Sequence, residues 1–107
     1  NGNALSGGEK QRISIARALL RKTSVLFMDE ATAALDEITA NEILSSIFTI
    51  KDLTCIVVTH RLDQKILKQY DKIVVLHNSK VEECDTFENL LKKKGLFHSL
   101  YTISQCE

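Results

Sequence analysis

Two short apolar runs, each ending in residues that carry chemistry, constrain this chain most. Val25-Leu26-Phe27-Met28 runs into Asp29-Glu30, and the β-branched stretch from Leu53 to Thr59 runs into His60. Between them lies a helical pattern, with Ala40, Ile43, Leu44 and Ile47 on one face and Asp36 placed to cap its start. Strands joined by a helix pair in parallel, because the crossover returns the chain to the same end of the sheet. The run Val25–Met28, apolar throughout, is expected to be buried on both faces. The pattern predicts an α/β fold, mostly a parallel sheet flanked by helices.

The remaining elements follow from caps and turns. Gly8 to about Arg21 reads as a helix, with Ile13, Ala16 and Leu20 in one stripe and Ile15 and Leu19 beside it. Ser6 and Glu9 fit a capping box at its start. A short helix is expected around Leu62 to Gln69, and a third strand over Lys72 to Leu76. Asn78-Ser79 is a turn signal, after which Lys80 to Glu83 returns antiparallel. Asp85 and Glu88 suit the N-cap and N3 positions of a helix reaching Lys94, with Gly95 as its C-terminal stop. Leu96 to Ser104 reads as a last amphipathic helix.

The 107 residues suffice for one small domain, and 44% hydrophobic content supports a packed core rather than disorder. Fourteen basic residues balance fourteen acidic ones, so no charge footprint for nucleic acid or a membrane surface is present. No apolar run approaches the ~20 residues that span a bilayer. Cys55, Cys84 and Cys106 have no metal-ligand spacing and read as free thiols in a reducing compartment. The chain opens almost at once on a functional loop, which suggests a piece of something longer.

That loop is Leu5-Ser6-Gly7-Gly8-Glu9-Lys10-Gln11-Arg12. Glycines lacking Cβ at a helix N-terminus leave backbone N–H groups open to an anion, and Ser6 adds a hydroxyl donor. Gly2 to Gly7 has G-x-x-x-x-G spacing, but Gly8 and Glu9 stand where a phosphate cradle requires Lys and Ser or Thr. Asp29 and Glu30 sit where α/β ligand sites gather, at the C-terminal end of a strand. Asp29 suits a hard cation such as Mg²⁺, and Glu30 suits a base that activates water. His60, at the equivalent end of the next strand, is placed to stabilise charge on a transferring phosphoryl group.

Together these residues resemble the nucleotide-binding domain of ATP-binding-cassette (ABC) transporters. Leu5 to Arg12 is similar to the signature motif, Val25 to Glu30 to the Walker B strand, Ala33-Ala34-Leu35-Asp36 to the D-loop, and Thr59-His60-Arg61-Leu62 to the switch-histidine loop. Ile13 to Leu20 and Met28 to Asp36 resemble the exporter type. The resemblance spans essentially residues 1–107 as one C-terminal portion of that domain. It implies a partial P-loop ATPase core lacking the P-loop strand, which leaves a gap beside the strand bearing His60.

The resemblance further implies a head-to-tail pair of nucleotide-binding domains coupled to transmembrane domains at the cytoplasmic face of a membrane, with ATP and Mg²⁺ as ligands. Ser6, Gly7, Gly8 and Glu9 would meet the ATP held by the partner domain, and Asp36 would lie at the dimer interface. Asp29 would serve Mg²⁺, Glu30 would be the catalytic base, and His60 would contact the γ-phosphate. Ala33 and Cys84 depart from the small hydroxyl residue and the glycine usual at those places. The isolated chain is expected to be soluble, inactive, and able to self-associate across its sheet gap. Soluble ATPases of DNA repair and chromosome maintenance share the Ser-Gly-Gly and Asp-Glu pattern and stand as the alternative.

Overall fold

The computed structural model describes residues 7–30 and 35–106. Ser6 and the stretch 31–34 lie outside the described residues, so the Ser6 cap and the first part of the D-loop are not located. The elements run α1 (Gly7–Leu20), β1 (Val25–Asp29), α2 (Glu37–Phe48), β2 (Thr54–Val58), α3 (Gln64–Leu67), β3 (Ile73–His77), β4 (Lys80–Asp85), α4 (Phe87–Lys93) and α5 (Leu96–Gln105). This is the expected α/β succession. The chain divides into two compact units, Asn1–His60 and Arg61–Glu107.

In the first unit β1 and β2 pair in parallel, with Val25 opposite Thr54 and Asp29 opposite Val58. Helix α2 is capped by Asp36, whose carboxylate accepts from Thr39 N at 2.7 Å. Ala40, Leu44 and Ile47 are buried as their spacing requires, and Ile43 is half-buried. Two burial expectations need correction. Leu26 and Met28 are buried, but Val25 and Phe27 are 52% and 62% exposed, so β1 is dry on one face only. A continuous apolar run records what a strand tolerates, and nothing among the described residues covers its second face. On α1, Ile15 is buried and Leu19 half-buried, while Ile13, Ala16 and Leu20 are exposed. The helix has apolar residues on several faces and rests on the one carrying Ile15 and Leu19.

In the second unit β3 and β4 form an antiparallel hairpin. Asn78 and Ser79 both have positive φ, 51° and 62°. A two-residue hairpin turn with that backbone matches the right-handed twist of its strands. Leu67, Val75, Phe87, Leu90 and Phe97 form the core beneath the hairpin. Phe87 meets Phe97 and Tyr101 edge-on, with ring centroids 6.0 and 5.2 Å apart.

The caps around α4 differ from expectation by one residue. Thr86, not Asp85, is its N-cap, accepting from Asn89 N at 3.3 Å. Asp85 closes β4 instead and accepts from Asn89 Nδ2 at 2.9 Å and from Thr86 N at 2.7 Å. Those bonds, with Lys93 nearby, lower its pKa to about 2. At the other end the left-handed residue is Lys94, at φ 53°, while Gly95 has an ordinary φ of −93° and begins α5.

The reason for glycine at 95 is close approach. A Cβ there would stand 2.6 Å from Glu83 Oε2. The same carboxylate accepts from Phe97 N at 2.7 Å through Oε1. Glu83 therefore caps α5 from a neighbouring strand, an anion on the positive end of the helix. Glu83→Ala should cost about 1–2 kcal/mol. Gly95→Ala should cost about 1 kcal/mol with Glu83 present and close to nothing with Ala at 83, since the obstruction and the cap are the same carboxylate. Urea denaturation of the two single variants and the double variant measures this; additive costs would refute the shared cause.

Candidate functional site

Parallel pairing brings Asp29, Glu30 and His60 to one place. The register ends with Asp29 opposite Val58, and Glu30 N donates to Val58 O at 2.8 Å. That bond extends the ladder one residue past β1. Glu30 then turns with φ 54°, a conformation L-residues other than Gly and Asn adopt at some cost. Two residues beyond Val58 the second strand delivers His60. The result is a contact of 3.2 Å between His60 Nε2 and Glu30 Oε1.

The two partners differ in exposure. The His60 side chain is 93% exposed and that of Glu30 39%. The Oε1 atom of Glu30 is itself buried, yet its geometry toward His60 is not that of an aligned hydrogen bond. An ion pair this open is worth at most ~1 kcal/mol, so stability does not explain it. A buried carboxylate oxygen without an aligned donor costs free energy, and the part of the Glu30 side chain left in solvent is where a further O–H can reach the carboxylate.

Asp29, the last residue of β1, is exposed. Among the described residues no group of three or more His, Cys, Asp or Glu side chains is arranged to hold a metal ion. An all-protein metal cage is thus not part of the described site. Mg²⁺ keeps several waters and asks for one or two carboxylates beside substrate phosphates, so a single exposed Asp29 is compatible with it.

The other expected site residues occupy helix starts. Gly7, Gly8 and Glu9 form the first turn of α1, and Glu9 is exposed there. Asp36 caps α2. Neither group belongs to the Glu30–His60 contact. Residue order gives Glu30 and His60 separate duties and does not reveal their contact, which becomes readable only once Asp29 and Val58 are set opposite each other.

Residues 1–33 match the family model described as ABC transporter. Human ATP-binding cassette sub-family B member 5 is 44% identical over 92% of this chain. The mitochondrial iron-sulfur clusters transporter ATM1 of Yarrowia lipolytica is 43% identical over 94% of it. An ATP-dependent lipid A-core flippase of Haemophilus influenzae is 41% identical over 96%. The chain spans only 8%, 14% and 17% of those relatives' lengths. The structure of a bacterial Atm1-family ABC exporter with ATP bound superposes with a TM-score of 0.88 at 36% identity, covering 99% of this chain and 18% of that one. No helix among the described residues is long and apolar enough to cross a membrane. Sequence likeness along nearly the whole chain and the same fold in three dimensions place it together: this chain belongs to the ABC transporter family, among the exporters.

Proposed function

We propose that the chain is part of an ATP-hydrolysing unit that powers the movement of a substrate across a membrane. The observation that carries this reading is the Glu30–His60 contact at the C-terminal edge of a parallel strand pair.

Glu30 is the general base: its carboxylate, partly exposed, orients a water molecule and takes its proton as the water attacks. The left-handed turn at Glu30 fixes the carboxylate just beyond the strand, so little reorganisation is needed. His60, exposed on its other side, donates to a phosphoryl oxygen as charge develops there. Asp29 would hold Mg²⁺, which supplies charge neutralisation at the phosphates when bound. The first turn of α1, Gly7, Gly8 and Glu9, offers its N–H groups to the nucleotide held by a second nucleotide-binding domain, and Ser6, just before it in the sequence, would add its hydroxyl. Asp36 belongs to the interface of that head-to-tail pair, with transmembrane domains as the further partners at the cytoplasmic face. Identities of 41–45% to membrane exporters favour transport over DNA maintenance.

The 107-residue chain should show no ATP turnover above background, while the full-length protein hydrolyses ATP, because no residue of the chain has the lysine-bearing phosphate loop. Phosphate release from both, purified in parallel, tests this. Turnover by the short chain that Glu30→Gln abolishes would overturn it.

A further inference from the structure

The turn between α1 and β1 reads Arg21-Lys22-Thr23-Ser24-Val25. Arg21 to Ser24 are all exposed and lie outside helix and strand. Two bases two and three residues before a hydroxyl, with an apolar residue just after it, form the charge pattern that kinases with acidic substrate grooves read. A kinase groove also needs a peptide that can be drawn out of its fold, which a turn outside helix and strand permits more readily than a helix interior, and here structure discriminates where sequence does not. Ser14 likewise follows bases, Lys10 and Arg12, but it sits in the middle of α1, its backbone locked in helix. Ser24 is reached from a turn in which Lys22 has left the helix at φ 54°. Its backbone is tied by Ser24 O accepting from Thr54 N at 2.8 Å, at the very start of the strand ladder.

We propose that Ser24 is a phosphorylation site for a basic-directed serine/threonine kinase, with Arg21 and Lys22 as the specificity determinants. The hydroxyl oxygen of Ser24 attacks the γ-phosphorus of the kinase's ATP. The bond from that phosphorus to the bridging oxygen breaks, ADP leaves with the electron pair, and the hydroxyl proton passes to the kinase's carboxylate base. The product carries a charge of about −1.5 to −2 at neutral pH. That charge lies at the opposite end of β1 from Asp29 and Glu30. Five strand residues span roughly 17 Å, about two Debye lengths at physiological salt. The phosphate therefore creates a docking mark on the surface and leaves the acid pair electrostatically undisturbed.

The test is incubation of the native 107-residue chain with Mg-ATP and the catalytic subunit of a cyclic-AMP-dependent kinase, followed by site-resolved mass spectrometry. One phosphate on Ser24 is expected, absent in Ser24→Ala and reduced about tenfold or more in the Arg21→Ala, Lys22→Ala double variant. Circular dichroism should show both variants folded like the unsubstituted chain, since the substituted side chains are in water. Phosphate on Ser14 or Thr23 instead, no incorporation, incorporation only after urea, or indifference to the two bases would each overturn the proposal. It does not depend on the hydrolytic reading of Glu30.

Discussion

Replacing Glu30 by Gln in the full-length protein is expected to lower kcat for ATP hydrolysis by about 10²–10⁴-fold, the usual contribution of a placed general base. Gln keeps the length of the side chain and one carbonyl oxygen but accepts no proton. The backbone bond from residue 30 N to Val58 O does not involve the side chain and stays in place. The pair with His60 is exposed and worth little, so its loss does not unfold the site. Binding of ATP should therefore persist within about threefold while turnover collapses, a separation that points to the chemical step. Steady-state hydrolysis together with equilibrium nucleotide binding checks both halves. A Gln variant that keeps a tenth or more of wild-type kcat would remove Glu30 from the role of base. Parallel loss of binding and turnover would instead assign it to holding the nucleotide.

The second large effect concerns folding. Phe87→Ala should destabilise the second unit by about 3–5 kcal/mol. The ring is 2% exposed and is flanked by two aromatic rings in edge-on contact. Removing it forfeits apolar burial, both ring contacts and the packing of a core whose other large members are few. Small domains have only about 5–15 kcal/mol in total, so a loss of this size leaves a sizeable unfolded fraction at 37 °C. Phe87→Leu, which refills much of the space, should cost less than half as much. Thermal melts followed by circular dichroism distinguish the outcomes; equal melting temperatures for Ala and wild type would contradict the packing described.

Much of this arrangement could be read from residue order. Asp36 announced α2, and Asn78-Ser79 announced the hairpin, because caps and tight turns are decided by neighbours a few residues apart. Asp29, Glu30 and His60 could be placed at one sheet edge because parallel strands end on the same side. What stayed hidden depends on residues far apart in the chain. Gly95 looked like a helix stop, yet it is small to admit Glu83 from β4, a partner twelve residues away that no local rule names. Thr86 took the cap expected of Asp85 because β4 runs two residues further, through Asp85, than its sequence pattern suggests. The direct meeting of Glu30 with His60 required the exact strand register. The inward face of α1 required knowing which side α2 would take.

The wet side of the β1–β2 pair also governs how this polypeptide behaves in a tube. Val25, Phe27, Ile56 and Val58 are all exposed, on a molecule whose charges sum to zero and whose isoelectric point lies near 7.0. Colloidal repulsion is then weakest at neutral pH, where a sticky patch meets its like unopposed. Buffers one or two units away from neutrality give every copy the same sign of charge, and concentration limits will follow titration before they follow unfolding.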